Sequence, residues 1–319
     1  VAEPTKPSIL VTIGKGTGVE HESETAAKLF QMAFPDREVV TEPSPGVGYA
    51  ITWHPPLGLL AQCENLQAIF SLGAGVDHVL RDPDLPDVPL VRFVDPTLTS
   101  RMVEWVVWQV FNHQRRAAQY AQLQHEGTWK ELTSPPAEDL AIGIMGFGKL
   151  GQAAAKALLP FGFKINAWSR SGRTMDGVTA YDAEGLDAFL AATNIAVSLL
   201  PATAETKGII NTDLIGKLKK RGPLGGPVVL NAGRGDSQVS ADIDAALRDG
   251  RLGGASLDVF ETEPLPADNP LWTAPNCIIT PHAAAVTDPR ALAMYIRRQV
   301  DAVEAGKELE NVVDRGRGY

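Results

Sequence analysis

Three short apolar runs in this chain each end in a residue able to do chemistry. Val228-Val229-Leu230 leads into Asn231-Ala232-Gly233-Arg234-Gly235. A second run closes in Asp258-Val259-Phe260-Glu261-Thr262-Glu263-Pro264, and Cys277-Ile278-Ile279 leads into Thr280-Pro281-His282. Strands of one parallel sheet point the same way, so residues just past their ends converge on one rim. A guanidinium at Arg234 can grip a carboxylate with two parallel hydrogen bonds and also touch a carbonyl oxygen. The imidazole of His282, its backbone set by Pro281, can deliver a proton near neutral pH. A neighbouring carboxylate would favour the imidazolium and orient the ring. Asp258, Glu261 and Glu263 compete for that place, and spacing does not choose among them. Together these are the parts needed to reduce a 2-oxo acid. The plainer alternatives are an Arg salt-bridged within its loop and a structurally satisfied His.

A second motif supplies a place for a nucleotide. Gly146-Phe147-Gly148-Lys149-Leu150-Gly151 follows a strand candidate at 141–145 and opens a helix candidate at 152–159. Gly146 allows a tight turn, Gly148 lets the backbone approach a pyrophosphate, and Gly151 lets helix and strand pack closely. The helix N-terminus adds amide donors and partial positive charge. The next strand candidate ends in Trp168-Ser169-Arg170-Ser171-Gly172-Arg173. An NAD site has an acidic residue about 20 positions past the glycines. Ser169 lies 18 residues after Gly151 and is not acidic. A hydroxyl with Arg170 and Arg173 suits a 2′-phosphate, so NADP(H) is preferred and NAD(H) is possible. Leu200, Pro201 and Ala232, at the ends of the next strand candidates, complete the expected cofactor contacts.

Other loops complete the rim. Ser71-Leu72-Gly73-Ala74-Gly75-Val76-Asp77 ends an early strand candidate, and its small residues suit an anion-binding nest. A plain strand-to-helix turn is the alternative. Trp53-His54-Pro55-Pro56 follows another strand candidate and walls the same cleft or only packs.

Positioning these residues requires two alternating α/β units. Strand candidates at 8–13, 39–40, 50–53, 66–72 and 90–94 form the first. A long helix is expected at 100–124, stopped by Pro135-Pro136. Six strand candidates, at 140–145, 163–168, 195–200, 228–231, 255–260 and 278–280, match a full Rossmann sheet. The last helix, 289–305, is expected to cross back to the first domain. The expected fold is α/β with two Rossmann-like domains, each a doubly wound parallel sheet. Residues 1–100 plus 287–319 form a flavodoxin-like substrate-binding domain, and 101–286 the dinucleotide-binding domain.

Bulk properties remove other classes. The 319 residues are 44% hydrophobic and 21% charged, ordinary for a globular chain of two domains. A net charge of -9 argues against nucleic acid, and the dense cations at 217–221 read as a helix end. Two cysteines without a CxxC motif fit a reducing, cytoplasmic setting. No run is long and apolar enough for a membrane span, the first residues lack a signal pattern, and no metal motif is present.

GFGKLG, NAGRG, LDVFETEP and TPHAA, in this order, resemble the D-isomer-specific 2-hydroxyacid dehydrogenase family over almost the whole chain. WHPP, LGAGVD, WSRS and VDRGRGY resemble its branch of reductases acting on glyoxylate or hydroxypyruvate. The resemblance implies that Arg234 binds substrate, that His282 is the acid/base, and that Glu263 is its partner. It assigns Asp258 to the nicotinamide carboxamide. It also implies a cleft that closes by hinge motion and a homodimer built through the coenzyme domain. A small 2-oxo acid would be held by Arg234, His282, Trp53, Leu72, Gly73, Ala74 and Gly75 while it accepts hydride from NADPH and a proton from His282. Ser169, where relatives carry an acid, and Asp95, where many carry Asn, depart from the pattern. Alternatives are a dehydrogenase of bulkier D-2-hydroxy acids and a non-catalytic cofactor-sensing protein.

Overall fold

Apolar, β-rich runs alternate with helices along the chain, and each alternation closes a parallel sheet. The computed structural model describes residues 6–14, 22–94, 96–220, 222–286 and 288–316. The first residues, Asp95, Arg221 and the last three residues of the VDRGRGY segment lie outside these. The strands are β1 (Ser8–Ile13), β2 (Val39–Val40), β3 (Val47–Trp53), β4 (Ala68–Ser71), β5 (Leu90–Val91), β6 (Ala141–Met145), β7 (Lys164–Trp168), β8 (Val178–Tyr181), β9 (Ile195–Ser198), β10 (Val228–Asn231), β11 (Gly254–Leu257) and β12 (Cys277–Ile279). The helices are α1 (Glu22–Ala33), α2 (Asp77–Leu80), α3 (Pro96–Gln114), α4 (Ala117–His125), α5 (Lys149–Leu158), α6 (Leu186–Ala191), α7 (Thr212–Lys217), α8 (Ser240–Arg248) and α9 (Pro289–Glu304). The chain divides into two compact units, Val1–Thr97 with Thr287–Tyr319, and Leu98–Val286.

In the first unit the sheet order is β2-β1-β3-β4-β5, all parallel. This is the flavodoxin-like doubly wound order. The edge beyond β5 is covered by the end of the chain, with an antiparallel bridge between Val91 and Val312. Covering an edge satisfies backbone groups that would otherwise template another strand. Ions tie α9 to the same unit. The fully buried Arg37 side chain bonds both carboxylate oxygens of Glu304, and Arg297 reaches Asp36 at 2.8 Å. The Arg37 hydrogen bond and charge, with Lys6 adding to them, hold the Glu304 carboxyl below its usual range.

The second unit has a seven-stranded parallel sheet, β12-β11-β10-β9-β6-β7-β8. The chain starts at β6 and winds out both ways, so the strand order reverses beside it. In such sheets ligands bind beyond the carboxyl ends at the reversal. Strand residues alternate between two helical layers, as the pleat requires. Ile142, Ile144, Ile195, Val197, Val228 and Leu230 join one core cluster, with α3 and α5. Met145, Ala196, Val229, Ala255 and Leu257 join the other, with α7 and α8. In α5, Gly151, Ala154, Ala155 and Leu158 are buried at helical spacing, and three small residues bring the helix close to the sheet.

Two expectations are corrected. The sheet has seven strands rather than six, because β8 was not anticipated. Its sequence Val178-Thr179-Ala180-Tyr181 is short and half-exposed at the sheet edge, so it lacks an apolar run. The long helix is two helices, broken at Arg116, which has φ 59°. No Gly or Pro marks the break. It is held by tertiary hydrogen bonds from Arg116 to the Thr133 and Pro223 carbonyls, at 2.6 and 3.0 Å. The cations at residue 217 do sit at a helix end, where Lys217 closes α7 and pairs with Asp187 and Asp213.

Candidate active site

The turn after β10 is built around one buried side chain. Asn231 donates to the Arg234 carbonyl (3.1 Å) and Gln238 Oε1 (2.8 Å), and accepts from Gly233 N–H (3.1 Å). This folds the chain so that Arg234 stands half-buried at the strand end, its guanidinium bonded to the Gly233 carbonyl at 2.8 Å. Gly235 is needed for contact, since a Cβ there would lie 1.9 Å from the Phe260 carbonyl oxygen. The Arg234 turn and the acidic segment after β11 therefore press backbone to backbone.

The three competing carboxylates separate cleanly. Glu263 Oε2 meets His282 Nδ1 at 2.7 Å, while Oε1 accepts from Phe260 N–H at 2.9 Å. Glu261 turns away and accepts from the backbone N–H and the hydroxyl of Ser240, at the start of α8. Asp258 is buried, and its Oδ1 accepts from Thr280 Oγ1 (2.5 Å), Ala283 N–H (2.8 Å) and Ala284 N–H (3.0 Å). His282 has φ 51°, a sparsely allowed conformation for a non-glycine residue, fixed by its N–H donating to the Asp258 carbonyl at 2.8 Å.

These neighbours set the charge on His282. Its pKa is raised, first by the hydrogen bond to Glu263, with burial and the positive charge of Arg234 working the other way. Side-chain exposures of 39% for His282 and 33% for Glu263 leave the pair open to a reactant and to solvent screening. Burial pushes the Asp258 carboxyl up, and its hydrogen bonds oppose that shift.

The glycine turn fits a dinucleotide. Gly146 has φ 96°, and a Cβ there would crowd the Leu199 carbonyl at 2.8 Å. A Cβ at Gly151 would lie 2.4 Å from the Gly146 carbonyl, whereas one at Gly148 meets nothing within 4 Å. Open space at the second glycine is what a bound pyrophosphate requires. The first intrahelical bond of α5 runs from Gln152 N–H to the Gly148 carbonyl, so the Lys149, Leu150 and Gly151 amides belong to the first turn. Phe147 is buried in the core, so its side chain cannot line a cofactor site and only its backbone could. Leu200 and Ala232 are buried in the same way, while Pro201 is exposed. After β7, Ser169 Oγ accepts from Arg173 N–H at 3.1 Å and so orders the turn carrying the exposed Arg170 and Arg173.

In the first unit, Trp53 ends β3 and packs on Gly73, where a Cβ would lie 2.7 Å from its ring. His78 stands edge-on to Trp53 at 4.2 Å between ring centroids, and His54 to His78 at 4.6 Å. The 72–75 loop is wrapped around Ser71, whose hydroxyl donates to the Gly75 carbonyl (3.0 Å) and accepts from Gly73 N–H (3.3 Å). The Ser71 hydroxyl thus braces the loop from within. Leu72 and Ala74 are half-buried on this loop.

Trp105 carries no recognisable motif, and Ser71 and Thr280 lie within quoted segments, yet all three act through hydrogen bonds that only the folded chain creates. Asn231 lies within a motif, yet its role as the staple of the turn is visible only in three dimensions.

A Rossmann sheet with this glycine turn, and with Arg, Glu and His at the rim, is the architecture of a nicotinamide-dependent dehydrogenase. The family model for the NAD binding domain of D-isomer specific 2-hydroxyacid dehydrogenases matches residues 107–284. The chain belongs to that family. It is 43% identical over 278 residues to glyoxylate/hydroxypyruvate reductase A of Escherichia fergusonii, covering 85% of this chain and 87% of that protein. Among solved structures, an NADPH-dependent glyoxylate/hydroxypyruvate reductase from Sinorhizobium meliloti, in complex with NADP and sulfate, is 47% identical with a TM-score of 0.90, covering 98% of this chain and all of that one. A probable 2-hydroxyacid dehydrogenase from Rhizobium etli, in complex with NADP, HEPES and tartaric acid, is 43% identical with a TM-score of 0.88, covering 98% and 99%.

Proposed function

We propose that this protein reduces a small 2-oxo acid, glyoxylate or hydroxypyruvate, to the 2-hydroxy acid with NADPH. The observation that carries the reading is the His282–Glu263 hydrogen bond of 2.7 Å at the sheet rim, with the charge of Arg234 acting on the same imidazole. The similar proteins named as glyoxylate/hydroxypyruvate reductases support the substrate class. NADPH, when bound, supplies the hydride that adds to C2. Arg234 holds the substrate carboxylate. Because Nδ1 of His282 faces Glu263, Nε2 is the nitrogen that delivers the proton to the developing alkoxide. Glu263 keeps the ring charged and oriented, its own carboxylate fixed by Phe260 N–H. Trp53, Leu72, Gly73, Ala74 and Gly75 shape the substrate end, while the Asp258 carboxylate, buried and taken up by Thr280 and the Ala283 and Ala284 amides, braces the 280–284 turn instead of lying open to the nicotinamide carboxamide.

Cofactor choice rests on Ser169, Arg170 and Arg173 in place of an acid. Ser169→Asp with Arg170→Ala shifts kcat/KM from NADPH toward NADH, since each lost charged hydrogen bond costs about 1.5–3 kcal/mol. An unchanged ratio would place the 2′-phosphate elsewhere. Turnover of glyoxylate, hydroxypyruvate and bulkier 2-oxo acids with both reduced cofactors tests the activity itself. Absence of reduction of the small acids refutes it.

The working form is a homodimer built through the second unit. Among the described residues, α4 buries none of its side chains, and Trp108, Tyr120 and Trp129 are exposed. A second copy would cover such a surface. Sedimentation of a monomer at assay concentrations refutes it. A cytoplasmic setting is supported by two free thiols, with burial pushing Cys277 up to about 12. Among the described residues, no helix is long and apolar enough to cross a membrane.

A further inference from the structure

We propose that Thr280 is a positioning residue for the acid/base His282, anchored from behind by Trp105, through a relay that ends on Asp258. The inference rests on the reading of His282 as the proton donor. Trp105 Nε1–H on α3 donates to Thr280 Oγ1 at 3.0 Å, and that hydroxyl donates to Asp258 Oδ1 at 2.5 Å. Asp258 then binds the His282 segment twice. Its carboxylate accepts from Ala283 and Ala284 N–H, and its carbonyl accepts from His282 N–H. The backbone of His282, held at φ 51°, is therefore clamped to Asp258 on both sides of the turn.

The geometry gives Thr280 two effects. Its hydroxyl cannot donate elsewhere while it accepts from the indole and gives its proton to the carboxylate. A chain of hydrogen bonds polarised in one direction strengthens each member. Every donor to Asp258 also favours its ionised form, against burial. The charged groups acting on His282 are Glu263 and Asp258, from the segment after β11, and Arg234, from the segment after β10. Both carboxylates favour the imidazolium, and Arg234 opposes it. Loss of the Thr280 hydroxyl strips Asp258 of a donor, weakens its support for the charged imidazole, and loosens the turn that aims the ring. Substrate binding by Arg234 does not pass through this relay.

The test compares wild type, Thr280→Val, Thr280→Ser and Trp105→Phe. Imidazole titrations are followed by NMR, with the His282 signal assigned from its loss in His282→Ala. Steady-state reduction of glyoxylate is measured across pH. The expected result for Thr280→Val is a His282 titration displaced to lower pH. The alkaline limb of kcat should move with it, kcat should fall about 10- to 100-fold as for a misplaced catalytic group, and KM should stay nearly constant. Thr280→Ser restores both readouts, and Trp105→Phe moves them in the same direction by less. A folded Thr280→Val protein whose His282 titrates as in wild type overturns the proposal. Should Thr280→Val fail to fold, a Trp105→Phe titration identical to wild type overturns it instead. A wild type that reduces no 2-oxo acid would remove the proposed function, while the NMR titrations would still decide the relay.

Discussion

Replacing Gly148 by Ala separates a glycine kept for a ligand from one kept for the fold. At Gly148, φ is -80° and ψ is -157°, extended backbone that any residue adopts, and an added Cβ meets no heavy atom within 4 Å. The folded protein therefore loses nothing. Reduced freedom of the unfolded chain stabilises it by about 0.4–1 kcal/mol. At Gly151 the added Cβ lies 2.4 Å from the Gly146 carbonyl oxygen, where ordinary contact begins at 3.4 Å. Backbone must move about 1 Å to relieve this, and overpacking of that kind costs about 1–3 kcal/mol. NADPH reverses the order of concern at Gly148. A methyl group where the pyrophosphate approaches removes at least one charged hydrogen bond, about 1.5–3 kcal/mol. That is a loss of about 10- to 100-fold in Kd. Urea denaturation gives the stabilities, and quenching or enhancement of NADPH fluorescence gives the affinities. Gly148→Ala binding NADPH as tightly as wild type would refute the assignment of this turn to the pyrophosphate. So would a Gly148→Ala protein less stable than Gly151→Ala.

Arg234→Ala should raise KM for the oxo acid and lower kcat while NADPH affinity stays within a few-fold, and Lys should rescue only partly because one ammonium cannot copy the fork. Weaker NADPH binding with an unchanged substrate KM would reassign the residue. His282→Ala should cost about 10²–10⁴-fold in kcat, as expected for a lost general acid. Glu263 raises the pKa of His282, so reduction is lost as pH rises through that pKa. Glu263→Gln should therefore move the alkaline limb of the pH–kcat profile to lower pH, and a limb left in place by Glu263→Gln but moved by Glu261→Gln would contradict the pairing. His113 hydrogen-bonds Ser256 at 2.8 Å, and burial lowers its pKa from 6.5 to about 4. The unfolded chain then takes up the proton first, so the stability contributed by neutral His113 is present above pH 6.5. It is lost as pH falls from there toward 4, by up to about 3 kcal/mol. Urea unfolding of wild type and His113→Asn at several pH values checks this, with equal slopes counting against it.

Local chemistry made much of this protein legible before folding. Gly146, Gly148 and Gly151 have a spacing that only a strand–turn–helix can use, and apolar runs of parallel strands stand out because both faces are buried. Arg234, Glu263 and His282 were findable because parallel strands bring their ends to one rim. Family resemblance chose Glu263 over Glu261 and Asp258. Distance and hydrogen bonding show the physical ground, with Glu261 bound to Ser240 and Asp258 enclosed by the 280–284 turn. Other features had no local signal. Strand β8 is an edge element without an apolar run, and the break at Arg116 depends on carbonyls of Thr133 and Pro223 far along the chain. The bracing of the 72–75 loop by the Ser71 hydroxyl shows only in the folded chain. Thr280 meets Trp105 across 175 positions of sequence. Periodicity and turn chemistry are encoded over a few residues, but which donor meets which acceptor is decided by packing between segments that no local pattern links.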